Sequence, residues 1–346
     1  MIFIETKCYT LGMIVVTGAT GFIGQRLVAL LVKEYKPNEI WCLVWRKNNP
    51  REIDGRRFLK KLGVGLIKID LLDKDSLEGL PKNPKLVFHL AATTDTALPD
   101  HSCNNLGTEN LVTALEMNEK THFVYTGTCA MYCGRTSCQK PITEHSRPVT
   151  SNRYSRSKLR AELLLKQQAN TRRFSLSILR PPTVYGADPR DNSLFDFMKK
   201  LINKRSVLAR LNWPGLTSLV WVDDMAATLI WAAKHPAKPG KINTFVVSAE
   251  SLTLTEISRL MHQKMGVPFR QINLPVWFWK LAAKTRRYIF MAEKLVPSAV
   301  YNLAWRASLV VNDVINVDAS EIRRSYKDWK PVYLKDKLVE VISWNY

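Results

Sequence analysis

The sequence predicts an α/β fold: a Rossmann-type doubly wound parallel sheet with a smaller, mainly helical C-terminal substrate lobe. Three observations lead there. Short apolar runs alternate with helical periodicity through the first half of the chain, and a glycine-rich turn joins the first run to the first helix. After Arg180-Pro181-Pro182 the alternation stops and helical pieces separated by loops follow.

Each element follows from its local pattern. Met13–Thr17 is a short apolar run of strand type, and Phe22–Tyr35 places Ile23, Leu27, Leu30 and Leu31 on one helical face. Ile40–Trp45, Leu66–Ile69, Leu86–Leu90 and Phe123–Thr126 are further strands, with a helix over Asn104–Glu119 between the last two. Asn152–Asn170 is a long helix, Ser175–Leu179 a strand, and Thr244–Val247 a late strand. Runs that are apolar throughout belong to parallel strands covered on both faces. The expected division is a nucleotide-binding domain over 13–180, rejoined by a strand near 242–248, with 181–241 and 249–346 forming the substrate lobe. Residues 1–12 are too short, and wrongly charged, for a signal peptide, so they stand outside the fold argument.

Composition narrows the function classes. Hydrophobic residues make up 46% of the 346 and charged residues 23%, which excludes a disordered chain. The formal net charge of +21 suits a polyanion, an acidic membrane surface or a phosphorylated substrate. No run of five Lys/Arg and no nucleic-acid-binding signature accompanies it, so no nucleic acid partner is expected. Cysteines 8, 42, 103, 129, 133 and 138 form no C-x-x-C pair, which points to reduced thiols, no metal site and a cytoplasmic chain. No stretch of some 18 apolar residues predicts a membrane span.

Val15-Val16-Thr17-Gly18-Ala19-Thr20-Gly21-Phe22-Ile23-Gly24 sets three glycines at three-residue spacing between strand and helix. Glycine allows the tight turn and brings backbone N–H groups to a pyrophosphate, while the helix N-terminus faces the negative charge. At the end of the second strand, Trp45-Arg46-Lys47 offers no carboxylate for ribose hydroxyls until Glu52. Arg46 suits a 2′-phosphate instead, which favours NADP(H) over NAD(H).

Tyr154-Ser155-Arg156-Ser157-Lys158 puts a phenol and an ammonium four residues apart, on one helical face. A tyrosine with its usual pKa of about 10 is a poor base, and a neighbouring cation lowers that pKa enough for proton transfer. The preceding strand, Phe123-Val124-Tyr125-Thr126-Gly127-Thr128, ends in hydroxyls that can hydrogen-bond a substrate oxygen. Thr128 is the first choice and Thr126 the reserve.

These segments, with Asp70-Leu71, His89-Leu90-Ala91-Ala92, Asn104-x-x-Gly107-Thr108, Arg180-Pro181-Pro182-Thr183-Val184-Tyr185-Gly186 and Val222-Asp223-Asp224-Met225-Ala226, stand in order from Met13 almost to the C-terminus. In this the chain resembles the extended short-chain dehydrogenases/reductases, the NAD-dependent epimerase/dehydratase family. The resemblance implies that Gly18, Thr20, Gly21, Phe22, Ile23 and Gly24 form the pyrophosphate turn. It implies that Asp70 and Leu71 contact adenine, that Leu90, Ala91 and Ala92 line the cofactor, and that Pro181, Thr183 and Val184 lie beside the nicotinamide. Tyr154 matches the general acid/base, Lys158 the residue that binds nicotinamide ribose and tunes the tyrosine, and Thr128 the substrate-binding hydroxyl. A homodimer is a further family-level expectation. The family often has Ser-Ser at Thr126-Gly127 and a glycine at Cys133, and its dehydratases place Asp-Glu where Cys129-Ala130 stands, which argues against dehydration.

Leu274–Arg306 mixes Trp277, Phe278, Trp279, Tyr288, Phe290 and Trp305 with Lys280, Lys284, Arg286, Arg287 and Arg306. It reads as a helical lid or as a basic amphipathic segment resting on a membrane through 275–306. Its likeness to steroid- and flavonol-type reductases favours an apolar substrate. The alternatives are a nucleotide-sugar 4-epimerase, whose diphosphate would suit the basic charge, and a non-catalytic NADP(H)-binding regulatory module.

Overall fold

The computed structural model describes residues 12–96, 98–133, 140–187, 193–291 and 314–343. Seven strands form the main sheet: β1 (Ile14–Thr17), β2 (Ile40–Trp45), β3 (Gly65–Ile69), β4 (Leu86–His89), β5 (His122–Thr126), β6 (Ser175–Arg180) and the late β9 (Ile242–Val246). Their order is β3-β2-β1-β4-β5-β6-β9, every pair parallel. Thr17 stands level with Leu43 and His89, and His89 with Tyr125, so the carboxyl ends finish together. The order reverses between β1 and β4, where such sheets open a ligand crevice.

The continuous apolar runs have a direct cause. Val16 and Phe88 join one buried cluster with Leu27, Val28 and Leu31 of α1 (Phe22–Leu31). Their neighbours Val15 and Val87 join another with Leu111 and Leu115 of α3 (Ser102–Leu115) and Leu165 of α4 (Arg153–Arg172). Alternate side chains leave opposite faces, and helices cover both. Polar caps set two helix starts near the crevice. Asn152 accepts from the Ser155 amide before α4, and Asn49 accepts from the Glu52 amide before α2 (Pro50–Lys61).

The later half is richer in strands than its sequence pattern suggests. β8 (Leu216–Trp221) pairs antiparallel with β10 (Glu250–Thr253) and parallel with β7 (Thr183–Tyr185) and β11 (Val314–Ile315). These strands are short, and stretches such as Glu-Ser-Leu-Thr carry no alternation, so only the pairing itself marks them. Around this sheet, Phe195 and Met198 of α5 (Leu194–Asn203), Ile257 and Met261 of α7 (Leu254–Lys264) and Leu334 and Leu338 of α10 (Leu334–Ile342) build a separate core with Tyr185 and Trp221. α6 (Val222–Lys234) falls inside the 181–241 segment, yet Met225, Leu229 and Trp231 pack in the same cluster as Val28 and Leu31 of α1. Two further helices, α8 (Val276–Met291) and α9 (Ser320–Ser325), complete the described chain. Among the described residues no helix is long and apolar enough to cross a membrane.

Candidate active site

The glycine turn is pressed against the loop that leaves β4. Gly18 has φ 67°, and a Cβ there would stand 2.6 Å from the Ala91 nitrogen and 2.7 Å from the Leu90 carbonyl carbon. A Cβ on Gly24 would collide with the Gly18 carbonyl, so helix and strand approach through that glycine. Gly21 caps α1 and brings no side chain to its first amides. Those donors therefore remain for a ligand or water. The turn, Leu90 and Ala91 thus meet at the β1/β4 reversal.

Behind the turn runs a buried polar chain. Thr17 Oγ1 lies 2.7 Å from His89 Nδ1 and accepts from the Ala91 amide at 3.2 Å, and His89 Nε2 lies 2.8 Å from Thr108 Oγ1. Burial, helped by Lys158, pushes the His89 pKa down to about 3, so the ring is neutral at physiological pH. Its ring stacks on Tyr125 at 5.7 Å, and Tyr125 also carries Lys158, whose Nζ lies 4.2 Å from the ring centroid. The glycine strand and the lysine are therefore joined by packed side chains.

Lys158 is buried and donates to the Thr126 carbonyl at 2.8 Å. Burial pulls its pKa down to about 7, against the opposing pull of Glu162 and Cys103. Tyr154, one turn earlier, is partly exposed, with its ring 5.8 Å from that of His101. Ser157 donates to the Tyr154 carbonyl, and Asn104 Nδ2 donates to Ser157 Oγ at 2.9 Å and to the Thr93 carbonyl, which ties α3 to α4 beneath the tyrosine. The Thr128 hydroxyl is buried and accepts from the Ala130 amide at 3.1 Å, which leaves its proton available to donate. The reserve hydroxyl, Thr126 Oγ1, is buried with no hydrogen-bond partner. Pro181 is drawn to this end of β5, because its carbonyl accepts from the Cys129 amide at 2.8 Å. Thr183 and Val184 enter β7, where Thr183 Oγ1 lies 3.0 Å from Thr217 Oγ1.

The corner after β2 is built differently. Arg46 is half-exposed and pairs with Asp73 at 2.7 Å. Trp45 Nε1 donates to Asp70 Oδ2 at 3.3 Å, and Lys47 Nζ lies 4.9 Å from a Trp45 ring centroid. Arg56, buried beneath, donates to the Trp45 carbonyl at 2.9 Å and to Asn48 Oδ1 at 2.6 Å, which pins the loop. The Leu71 carbonyl accepts from Asn110 Nδ2 at 2.9 Å. Arg46, Asp70 and Leu71 thus share one corner.

Two contacts here lie beyond the sequence reading. Asp73 holds Arg46, and Glu52 reaches the glycine turn itself, accepting from Thr20 Oγ1 at 2.8 Å. Burial lifts the Glu52 pKa, against Thr20 and Arg56, which favour the charged form. Neither contact has a local signal, because the partners are 27 and 32 residues apart. Under the pocket wall, Arg180 binds Glu162 through Nε at 3.0 Å and through Nη2, and donates to Tyr132 Oη at 2.7 Å. Cys42, Cys103 and Cys129 are free thiols, and no group of metal-ligating side chains occurs among the described residues. Cys8 and Cys138 lie outside them.

A model of the NAD dependent epimerase/dehydratase family matches residues 14–248. The chain belongs to that family. It is an enzyme of the extended short-chain dehydrogenase/reductase type. Human dTDP-D-glucose 4,6-dehydratase is 23% identical over 338 residues, covering 92% of each chain. A mutant UDP-glucuronic acid 4-epimerase from Bacillus cereus, in complex with UDP-4-deoxy-4-fluoro-glucuronic acid and NAD, superposes with a TM-score of 0.72 at 19% identity, over 96% of this chain and 98% of its own. RMD from Pseudomonas aeruginosa, complexed with NADPH, gives 0.65 at 20% identity, over 96% and 97%. At these identities the structural likeness establishes the shared fold. The steroid- or flavonol-like substrate expected from the C-terminal region finds no support among these family members. NAD in one structure and NADPH in the other leave the expected NADP(H) preference to this chain's own residues.

Proposed function

We propose that this family member oxidises and re-reduces a carbinol carbon of a nucleotide sugar, a 4-epimerase or a related oxidoreductase, with Tyr154 as acid/base. The observation that carries this is the conjunction of Tyr154 and the buried Lys158 on one turn of α4, with Lys158 donating to the Thr126 carbonyl at the end of the strand that Thr128 follows. The nucleotide sugars named for the relatives support the substrate class, and the net charge of +21 suits a diphosphate.

The residues present fit a dinucleotide, since Gly21 leaves the first amides of α1 without a side-chain cap and Gly18 lets the turn pack directly on Leu90 and Ala91. Gly18, Thr20, Gly21, Phe22, Ile23 and Gly24 would hold the pyrophosphate, Asp70 and Leu71 the adenine, and Leu90, Ala91 and Ala92 the side of the crevice. Pro181, Thr183 and Val184 would flank the nicotinamide, which supplies a two-electron hydride acceptor and donor when bound. Arg46 would meet a 2′-phosphate, which favours NADP(H).

Tyr154 then takes the hydroxyl proton of the substrate as its carbinol carbon loses hydride, leaving a ketone. Tyr154 returns the proton to that oxygen when hydride comes back, and return to the other face inverts the carbon. Thr128 donates to the reacting oxygen and orients it. Protonated Lys158 stabilises the phenolate, and a pKa already near 7 in the pocket makes that charge sensitive to what occupies the site. Cys129-Ala130, where dehydratases carry two acidic residues, disfavours water elimination. The intact trio disfavours a purely regulatory module. β1 to β6, α6 and β9 form the cofactor side in this reading, and the rest after 181 the substrate side.

Tyr154→Phe should lower turnover about 10²- to 10⁴-fold while leaving dinucleotide binding close to unchanged. Ordinary turnover by the variant on a UDP- or dTDP-sugar that the parent converts would remove the acid/base assignment.

A further inference from the structure

Helix α8 (Val276–Met291) has a composition unlike the other helices: five aromatic residues, four lysines or arginines and no carboxylate. Pro275 starts it, its carbonyl accepting from the Phe278 amide at 3.0 Å. Trp279 points inward, its ring 5.0 Å from that of Trp213 and its Nε1 donating to Asn212 Oδ1 at 3.3 Å. That contact anchors the helix to the lobe. The opposite side is bare. Trp277 is 65% exposed and Tyr288 72%, and Leu281 is exposed with them.

Trp277, Leu281, Lys284 and Tyr288 are spaced four, three and four apart, so they share one helical face. Lys280 and Lys284 are exposed on and beside it. A lid helix would keep its aromatics covered, whereas here Trp279 is turned in and Trp277 and Tyr288 are turned out. We propose that this face of α8 is a docking surface for an anionic lipid bilayer. The chemistry is complementary. Indole and phenol rings suit the headgroup boundary, because one end of each is apolar and the other polar. Lysine stems lie along the apolar layer while their ammonium groups meet lipid phosphates. The absence of any carboxylate along the helix removes local repulsion, and the net charge of +21 draws the chain toward a negative surface. The helix is too short and too charged to cross, so it lies in the interfacial plane. This inference does not depend on the dinucleotide reading.

The test uses the full chain in co-sedimentation with vesicles of phosphatidylcholine alone and of phosphatidylcholine mixed with phosphatidylglycerol. Two double variants accompany it, Trp277→Ser with Leu281→Ser and Lys280→Glu with Lys284→Glu, each checked for a cooperative thermal transition. The parent should sediment with the anionic vesicles and be released by salt, and each double variant should bind about tenfold more weakly or worse. Should the serine pair fail to fold, the charge-reversal pair decides alone, because its residues are exposed. No sedimentation with either vesicle, equal sedimentation with both, or full retention by the variants would overturn the proposal. So would a parent dimer that the serine pair converts to monomer without any vesicle binding, since the face would then belong to a second copy.

Discussion

The two sides of the crevice solve different problems with different physics. Along β5 and α4, Lys158, Tyr125, His89 and the Arg180–Glu162 pair are buried, and each charged group is held by several partners. At the corner after β2, Arg46 and Lys47 are exposed, Arg46 paired with Asp73 and Lys47 lying over the Trp45 ring. Buried polar groups without partners cost far more than exposed ones, so removing a partner from the wall along β5 and α4 should cost more than removing one from the corner.

That contrast can be broken first at the wall. Glu162→Ala leaves Arg180 buried without its carboxylate and should cost about 3–5 kcal/mol of unfolding free energy, read by urea denaturation. A loss below about 1 kcal/mol, the size of an exposed pair, would mean that the wall is no more constrained than the corner.

The next largest effect is on pH dependence. Burial lowers the pKa of His122 to about 4 and that of His89 to about 3. Below about pH 6.5 the unfolded chain takes up protons that the folded chain refuses, so stability falls with falling pH until those folded values are reached. At pH 5 each histidine should contribute a loss of about 2 kcal/mol relative to pH 7. His122→Gln should shrink the pH 7 to pH 5 difference by that amount, and an unchanged difference would show that the ring is not held neutral.

The smallest effects belong to the corner. Arg46→Ala should weaken NADPH about tenfold or more with little change for NADH. Asp73→Asn, which frees Arg46 from its 2.7 Å partner, should tighten NADPH by about two- to fivefold. Fluorescence titrations of both cofactors read the pair of results. Equal changes for NADPH and NADH in Arg46→Ala would remove the 2′-phosphate argument. A change in Arg46→Ala with none in Asp73→Asn would show that the ion pair does not compete.

The N-terminal half was legible because its signals are local. Gly18, Gly21 and Gly24 sit within one turn, Tyr154 and Lys158 within another, and β1 and β4, covered on both faces, are apolar up to their last residue. The lobe was less so, since β10 and β11 have no periodicity and exist through their pairing with β8. α6 shows the same limit. Its residues read as lobe by position, yet its apolar face found α1.

From its own order of residues the chain determines a glycine-rich strand-to-helix turn, a phenol and an ammonium on one helical turn and the sheet that carries them, because backbone freedom at glycine and helical spacing act over a few positions. Tertiary structure alone decided that Glu52 meets Thr20, that Asp73 holds Arg46, and that Tyr125 presents its ring to Lys158. Those contacts join residues far apart in sequence, and what brings them together is the register of parallel strands packed on a shared core, which no short window of sequence contains.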